Sequence, residues 1–405
     1  MKQCGLLGEK LGHSYSPQIH ALLGTYAYDL FEKKPDELVD FIRSGDWSGL
    51  NVTIPYKKTA AALCDELSPL AKELGSVNTL VRRADGTVYG DNTDAWGFEQ
   101  MLRKTAVDCA GKKALVLGSG GASVTIQAVL RRLGADVVVI SRSGANNYTN
   151  LECHADARLL VNTTPVGMYP NNGESPVDLG RLPALEAVLD IVYNPARTRL
   201  ILDAQLRGIP CESGLFMLVG QAVRAAELFT GTVIPPEKME TVWKQIDAEM
   251  KNIVLIGMPG CGKSSAGQLL AERTGRTLVD SDTEIERRIG MPIPQYFSEF
   301  GEAAFRSVET QVLAELGKGS GQIIATGGGC VTRAENYELL HQNGTIVWLQ
   351  RDPAKLPVDG RPLSQQEGVA ALYQKRLPLY RQFADAAVDN HGTLDETVAQ
   401  ILEVL

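Results

Sequence analysis

The chain has 405 residues, two to three times the usual size of one domain, so several domains are expected. Its 44% hydrophobic and 22% charged residues are the proportions of an ordinary globular protein and exclude collagen-like, coiled-coil and disordered classes. The net charge of −8 divides into −4 before Lys251 and −4 from it onward, which leaves no basic face for nucleic acid or an anionic membrane and makes small molecules the expected partners. Seven cysteines stand without any Cys-x-x-Cys, and the five histidines do not cluster near them, so neither a disulfide framework nor a zinc site is readable. The N-terminus reaches Gly5 and then charged residues before an apolar core could form, and the expected location is the cytosol.

Along the first hundred residues, small polar clusters separate apolar runs: Gly8 to Pro17 with Ser14 and Ser16, Gly49 to Lys57 with Thr53, Gly75 to Thr79 with Asn78, and Gly90 to Asp94. Placed at strand ends, these groups can collect the hydrogen bonds of a polyhydroxylated acid. Lys113–Leu117 then predicts a strand, Ile126, Val129, Leu130 and Leu133 one face of a helix, and Val137–Ile140 a second strand. This alternation continues throughout and predicts α/β architecture with parallel sheets under helices. Between that first strand and helix lies Gly118-Ser-Gly120-Gly121-Ala122-Ser123, the context in which a backbone turn approaches a dinucleotide pyrophosphate, with Ser123 where a third glycine is usual. Arg142, at the end of the second strand, stands where an NAD site places an acid, and its charge suits the 2′-phosphate of NADP(H).

These segments, with Asn162 to Met168, Asp190 to Pro195 through Tyr193, and Gly214 to Gln221, resemble shikimate dehydrogenase in order over residues 1 to about 248. The resemblance implies NADPH-dependent reduction of 3-dehydroshikimate. It implies a substrate domain over residues 1–98, rejoined by helices over 220–248, and a Rossmann-type NADP domain over 99–219. Lys57 and Asp94 match the catalytic pair, Ser14 and Ser16 the carboxylate site, and Thr53, Asn78, Tyr193 and Gln221 other substrate contacts. His13, beside the serines, has no acid or cysteine at a recognisable spacing and is read as structural. Only nineteen residues separate Arg142 from Asn162, and Asn146 or Asn147 stands where a second basic residue is usual, so a strand or helix near the adenosine is expected to be trimmed. A quinate or shikimate dehydrogenase using NAD is the close alternative.

Paired prolines at 235 and 236 precede a helical stretch to Glu249, and a new module is expected from Lys251. Asn252–Ile256 predicts a strand, followed by the full phosphate-loop pattern Gly257-Met-Pro-Gly260-Cys-Gly262-Lys263-Ser264-Ser265. In that pattern backbone N–H groups cradle the phosphates of ATP, Lys263 reaches the β and γ groups, and the Ser264 hydroxyl ligates Mg2+. Cys261 inside the loop is read as packing, although a thiol at a helix N-terminus is also a candidate for oxidation.

The loop together with Asp280-Ser-Asp282, Gly301 to Glu309, Thr326 to Gly329, Arg361-Pro-Leu and Arg376 to Tyr380 is similar to shikimate kinase over residues 251–405. The resemblance implies MgATP-dependent phosphorylation of shikimate to shikimate 3-phosphate. Asp280 would support the metal, Asp282 would contact the reacting hydroxyl, and Arg306 and Arg376 would grip the substrate carboxylate. Gly327, Gly328 and Gly329 would bring backbone to the substrate, and Arg361 would reach the transferring phosphoryl from a lid over roughly 353–365. That lid looks short, with Lys355 or Arg351 as the counterpart of an earlier basic residue. The two resemblances together imply a bifunctional enzyme for consecutive steps, against the alternative of a sensor in which one module has lost catalysis. The sequence carries no signal of oligomeric state.

Overall fold

The computed structural model describes residues 3–12, 14–356 and 368–405, and three sheets organise them. The first contains β1 (Gln3–Gly8), β2 (Ala27–Glu32), β3 (Gly49–Val52), β4 (Glu66–Leu67), β5 (Thr79–Arg82) and β6 (Val88–Asp91), in the order β2-β1-β3-β5-β6-β4. Its helices are α1 (Ser16–Leu23), α2 (Leu38–Ser44), α3 (Lys57–Ala62), α4 (Pro69–Leu74) and α5 (Asp94–Lys104). The strand and helix alternation predicts parallel strands throughout, but β5 runs antiparallel to both β3 and β6. The reason is chain length: residues 83–87 between β5 and β6 suffice for a turn, whereas a parallel crossover needs a dozen or more.

The second sheet is fully parallel, in the order β11-β10-β9-β7-β8. Its strands are β7 (Lys113–Leu117), β8 (Asp136–Ile140), β9 (Leu159–Asn162), β10 (Ala187–Asp190) and β11 (Cys211–Ser213). β9 and β10 are buried at every residue, as strands covered on both faces must be. The helix α6 (Gly121–Arg132) crosses from β7 to β8. Between β8 and β9 the chain makes only a 3-10 turn over Leu151–His154, so the short segment after Arg142 carries neither a strand nor an α-helix.

The helix α7 (Arg199–Leu206) links β10 to β11, and α8 (Gly214–Thr230) and α9 (Pro236–Met250) follow. α8 returns to the first sheet, where Ala225 and Phe229 pack with Cys4, and it crosses α5 at backbone contact distance. A Cβ on Gly97 of α5 would lie 2.8 Å from the Gln221 nitrogen, and one on Gly220 would lie 3.0 Å from the Gly97 Cα. Only glycine at both positions lets the two helices approach so closely.

The third sheet is also parallel, in the order β13-β14-β12-β15-β16. It comprises β12 (Asn252–Ile256), β13 (Leu278–Asp280), β14 (Ile323–Ala325), β15 (Gly344–Gln350) and β16 (Ala386–Asp389). Its helices are α10 (Lys263–Thr274), α11 (Ser281–Ile289), α12 (Ile293–Leu316), α13 (Glu335–His341), α14 (Val369–Phe383) and α15 (Leu394–Glu403). Central β12 is buried along its whole length, in one core with Leu270, Leu313, Trp348 and Tyr380. The chain divides into two compact units, one of residues 1–167, 174–193 and 203–247, the other of 168–173, 194–202 and 248–405.

Candidate active sites

Lys57 and Asp94 each open a helix directly after a strand end, α3 after β3 and α5 after β6. The Lys57 Nζ lies 2.6 Å from Asp94 Oδ2, with the two side chains 31% and 20% exposed, so the pair is held yet reachable. Asn78 Nδ2 donates to the other carboxylate oxygen, Asp94 Oδ1, at 2.8 Å. The Asn78 Oδ1 in turn accepts from the Thr93 N–H at 2.7 Å and the Thr79 hydroxyl at 3.1 Å. The carboxylate is thereby fixed on both oxygens, and the remaining N–H bonds of the ammonium are free to face a ligand.

The serines form a neighbouring group. Ser16 is buried at the start of α1, and its N–H donates to Ser14 Oγ at 3.2 Å. Tyr15, between them, meets Tyr193 edge to face with ring centroids 6.3 Å apart, and burial pushes the Tyr193 hydroxyl above its ordinary pKa. Thr53 follows β3, its N–H donating to the Leu7 carbonyl at 3.0 Å, and Gln221 is nearly buried on α8 where that helix crosses α5. Sequence reading had no role for Asn51 and Thr79, which stand opposite each other on β3 and β5 and hydrogen-bond at 3.2 Å. The available signal was a polar residue in the middle of a short buried strand, Gly-Leu-Asn51-Val.

The dinucleotide turn begins at Gly118, whose φ of 100° lies in the left-handed region that favours glycine. Gly120, Gly121 and Ala122 are exposed at the start of α6, and a Cβ at either glycine would meet nothing. Ser123 donates its hydroxyl to the Gly118 carbonyl at 2.7 Å and so closes the turn from within. A cavity of about 560 Å³ opens in front, lined by Gly118, Gly120, Ser141, Arg142, Tyr148 and Thr163 among others. Arg142 is exposed at this cavity, placed for an anionic group on a bound nucleotide, so the residues present fit NADP(H). Asn146 and Asn147 pin the short segment: Asn146 Oδ1 bonds His154 Nε2 at 3.1 Å, and Asn147 Oδ1 accepts from Thr149.

In the third sheet the phosphate loop follows β12, with Gly257, Gly260 and Gly262 at φ 146°, 81° and 98°. Lys263 is buried, its Nζ donating to the carbonyls of Gly257 and Met258 at 2.9 and 3.0 Å. The Ser264 hydroxyl donates to Asp280 Oδ2 at 2.8 Å, which joins the two oxygens expected to hold magnesium, and hard oxygen donors fit that ion. Asp280 also caps α11 by accepting from the Asp282 N–H. Burial, then the charge of Asp280, raises the Asp282 carboxyl above the ordinary aspartate range. Cys261 is fully buried under the loop, consistent with packing and not with a thiol open to oxidants.

Gly327 and Gly329 make the rest of this site possible. A Cβ at 327 would sit 2.7 Å from Asp282 Oδ1, and one at 329 would overlap the Arg306 guanidinium. Arg306, buried on α12 beyond the kink at Gly301, donates to Glu309 Oε2 at 2.7 Å. Arg376 Nη1 and the Tyr380 hydroxyl both donate to the Gly328 carbonyl, at 3.0 and 2.5 Å. Asp282, Arg306, Arg376 and the three glycines therefore lie together in the structure. Arg361 and most of the expected lid lie outside the described residues. Of the two lid candidates, Arg351 stands near the loop, 3.8 Å from where a Gly262 Cβ would be.

Comparison with known proteins separates the chain at the same place as these sites do. A family model for the shikimate dehydrogenase substrate binding domain matches residues 6–80, and one for shikimate kinase matches 259–405. A shikimate dehydrogenase (NADP(+)) of Clostridium perfringens is 37% identical over 268 residues, covering 61% of this chain and 98% of the relative. One from Methanopyrus kandleri is 39% identical over 268 residues, covering 58% and 92%. Among solved structures, shikimate 5-dehydrogenase from Thermus thermophilus in complex with NADP(H) and shikimate aligns with a TM-score of 0.55 at 32% identity, covering 60% of this chain and 99% of that one. A chorismate mutase/shikimate 5-dehydrogenase fusion from Clostridium acetobutylicum aligns at 0.58 and 34%, covering 61% and 97%. No helix among the described residues is long and apolar enough to cross a membrane.

Proposed function

The chain belongs to the shikimate dehydrogenase family and carries a shikimate kinase domain over residues 259–405, and from that premise we propose that it performs two consecutive steps in one polypeptide. The first reduces 3-dehydroshikimate to shikimate, and the second phosphorylates shikimate to shikimate 3-phosphate. In this reading residues 1–98 with 220–248 form the substrate domain, 99–219 the NADP domain and 251–405 the kinase, all in the cytoplasm. NADPH, when bound, supplies the hydride, and MgATP the phosphoryl group.

At the first site the Lys57 ammonium faces the oxygen on which negative charge develops, and the Lys57–Asp94 pair supplies its proton. Asp94 and Asn78 orient substrate hydroxyls, Ser14 and Ser16 take the carboxylate, and Thr53, Tyr193 and Gln221 hold the remaining polar groups. Neutral donors do this without leaving a buried charge unpaired. Gly118, Gly120, Gly121 and Ala122 receive the pyrophosphate of the dinucleotide and Arg142 its 2′-phosphate.

At the second site Asp282 accepts the proton of the reacting hydroxyl, which its raised basicity favours, while Arg306 and Arg376 hold the carboxylate by fork geometry. Lys263 and Arg361 meet the charge of the phosphoryl group in transit, and Ser264 with Asp280 holds Mg2+. Gly257, Gly260, Gly262 and Ser265 line the phosphates.

The observation that carries the reading is the Lys57–Asp94 contact of 2.6 Å, braced by Asn78, in the same chain as Asp282 packed against Gly327 beside a complete phosphate loop. The test is a coupled assay with 3-dehydroshikimate, NADPH and MgATP, with products identified by mass. Shikimate and its 3-phosphate should accumulate in sequence. Failure to oxidise NADPH, or failure to consume added shikimate with ATP, would refute the corresponding half.

A further inference from the structure

Beneath the Lys57–Asp94 pair a string of buried polar side chains leads to Asn78, and its other members, Tyr28, Asn51, Thr79 and Thr93, have no part in the proposed chemistry. Tyr28 on β2 donates its hydroxyl to Asn51 Oδ1 at 2.8 Å. The Asn51 Nδ2 donates to Thr79 Oγ1 at 3.2 Å and reaches the Asn78 carbonyl at 3.5 Å. Thr79 passes its single proton to Asn78 Oδ1 at 3.1 Å, and Thr93 Oγ1 lies 3.1 Å from both Thr79 Oγ1 and Asn78 Oδ1. Asn78 then presents its NH2 group to Asp94. Asn51, Asn78, Thr79 and Thr93 are all at most 4% exposed.

Such a string has a direction. A hydroxyl owns one proton, so what it accepts decides where it can give. The carboxamide of Asn51 has its oxygen engaged by Tyr28, which leaves its N–H groups facing Thr79 and obliges Thr79 to donate onward. With the Thr93 N–H as the other fixed donor, Asn78 cannot turn its amide over without placing NH2 against donors and oxygen against the Asp94 carboxylate. Buried polar groups left unmatched in that way cost free energy comparable to a lost hydrogen bond each.

We propose that Asn51 is a positioning residue for the dehydrogenase reaction: by directing the Thr79 hydroxyl it fixes the Asn78 amide, and through it the Asp94 carboxylate that holds Lys57. This inference rests on the proposed function, in which Lys57 and Asp94 act on the substrate. Asn51 lies on the sheet between α1 and the catalytic turns, and the ring stacked on its Tyr28 partner, His20, is buried and kept neutral, its pKa lowered by desolvation to about 3. His20 therefore brings no charge to the string at neutral pH, and the charges that the string meets are those of Asp94 and Lys57 at its end.

The test uses the full chain, with kinase turnover as the internal control of enzyme concentration and KM for NADPH as the control that the dehydrogenase part is folded. Asn51→Leu and Thr79→Val should each lower dehydrogenase kcat about tenfold with KM for NADPH and shikimate kinase turnover unchanged, since misalignment by a fraction of an ångström costs rate at the reacting centre. Thr79→Ser, which keeps the hydroxyl, should stay within about twofold of the parent. Because both residues act through one string, the double variant should be no more than about threefold worse than the worse single one. Asn51→Leu with unaltered kcat, or a double variant in which the two losses multiply, would overturn the proposal. If Asn51→Leu fails to fold, the pair Thr79→Val and Thr79→Ser decides alone: equal activity in both overturns it. A parent enzyme that does not reduce 3-dehydroshikimate at all would instead refute the functional reading on which the inference rests.

Discussion

Two lysines carry the proposed chemistry, and they are held in opposite ways. Lys263 is held by its own neighbourhood: the carbonyls of Gly257 and Met258, six and five residues away, receive its ammonium, and the loop that bends round it needs three glycines at positive φ. Lys57 is held by Asp94, thirty-seven residues distant, which is braced by Asn78 on another turn. A phosphate loop is thus a local device that a strand and a helix suffice to present. The dehydrogenase pair exists only when β3, β5, β6 and α5 are already assembled. The first kind of site tolerates change elsewhere in the molecule, and the second inherits every error of register.

The sharpest way to break this comparison is to remove each lysine. Lys263→Ala should abolish phosphorylation and leave 3-dehydroshikimate reduction intact, and Lys57→Ala should do the reverse, each with a loss on the order of 100-fold or more at its own site. Separate NADPH-oxidation and ADP-release assays on the same preparations decide it. Equal loss of both activities in a folded variant would mean that the two sites are not self-contained.

Next in size is Gly329→Ala, which sets a methyl group against the Arg306 guanidinium. Kinase kcat/KM for shikimate should fall roughly 100-fold through displaced carboxylate recognition, with KM for ATP little altered. Equal weakening of ATP would show that the glycine serves the phosphate loop and not the acid.

Arg142→Asp addresses the dinucleotide turn. A charge-assisted contact of about 1.5 to 3 kcal/mol corresponds to roughly 10- to 150-fold in preference for NADPH over NADH. That ratio should vanish or invert, whereas equal kcat/KM for both nucleotides in the parent would remove Arg142 from the site.

The smallest expected effect is on stability. Because burial raises the folded-state pKa of Asp282 above its unfolded value, its ionised form is a cost to folding at neutral pH, and that cost disappears as pH falls below the ordinary aspartate pKa. Asp282→Asn should therefore inactivate the kinase yet raise Tm by a few degrees at pH 7, with the gain shrinking towards pH 4. A Tm gain independent of pH would mean that the carboxyl is not destabilised by its surroundings.

How far each region could be read in advance follows the same division. The strands Lys113–Leu117 and Asn252–Ile256 and the glycine turns after them are written in consecutive residues, because periodicity and turn chemistry are local. The antiparallel β5 was hidden by the surrounding alternation, although the short turn after it was the clue. Ser123 at the third glycine position needed the structure to show its hydroxyl on the Gly118 carbonyl. Asn51 and Thr79 were invisible as partners, since their meeting depends on the register of two strands joined by a long excursion through α3 and α4. Resemblance supplied Lys57, Asp94 and Arg306, and packing explains why each needs neighbours such as Asn78, Glu309 and Gly329.

The crossing of α5 and α8 at Gly97 and Gly220 has a temporal meaning as well. Asp94, at the head of α5, and Gln221, on α8, belong to one proposed site although well over a hundred positions lie between them, most of them devoted to the second sheet and its connections. A ribosome adding about 5–20 residues per second needs on the order of ten seconds to travel that interval. For that time the first sheet is a lid without its last helix, its Cys4 and Gly49 surface open where Phe229 will close it. The early half of this chain must wait for a later part of itself, and the glycine pair is the latch on which the waiting ends.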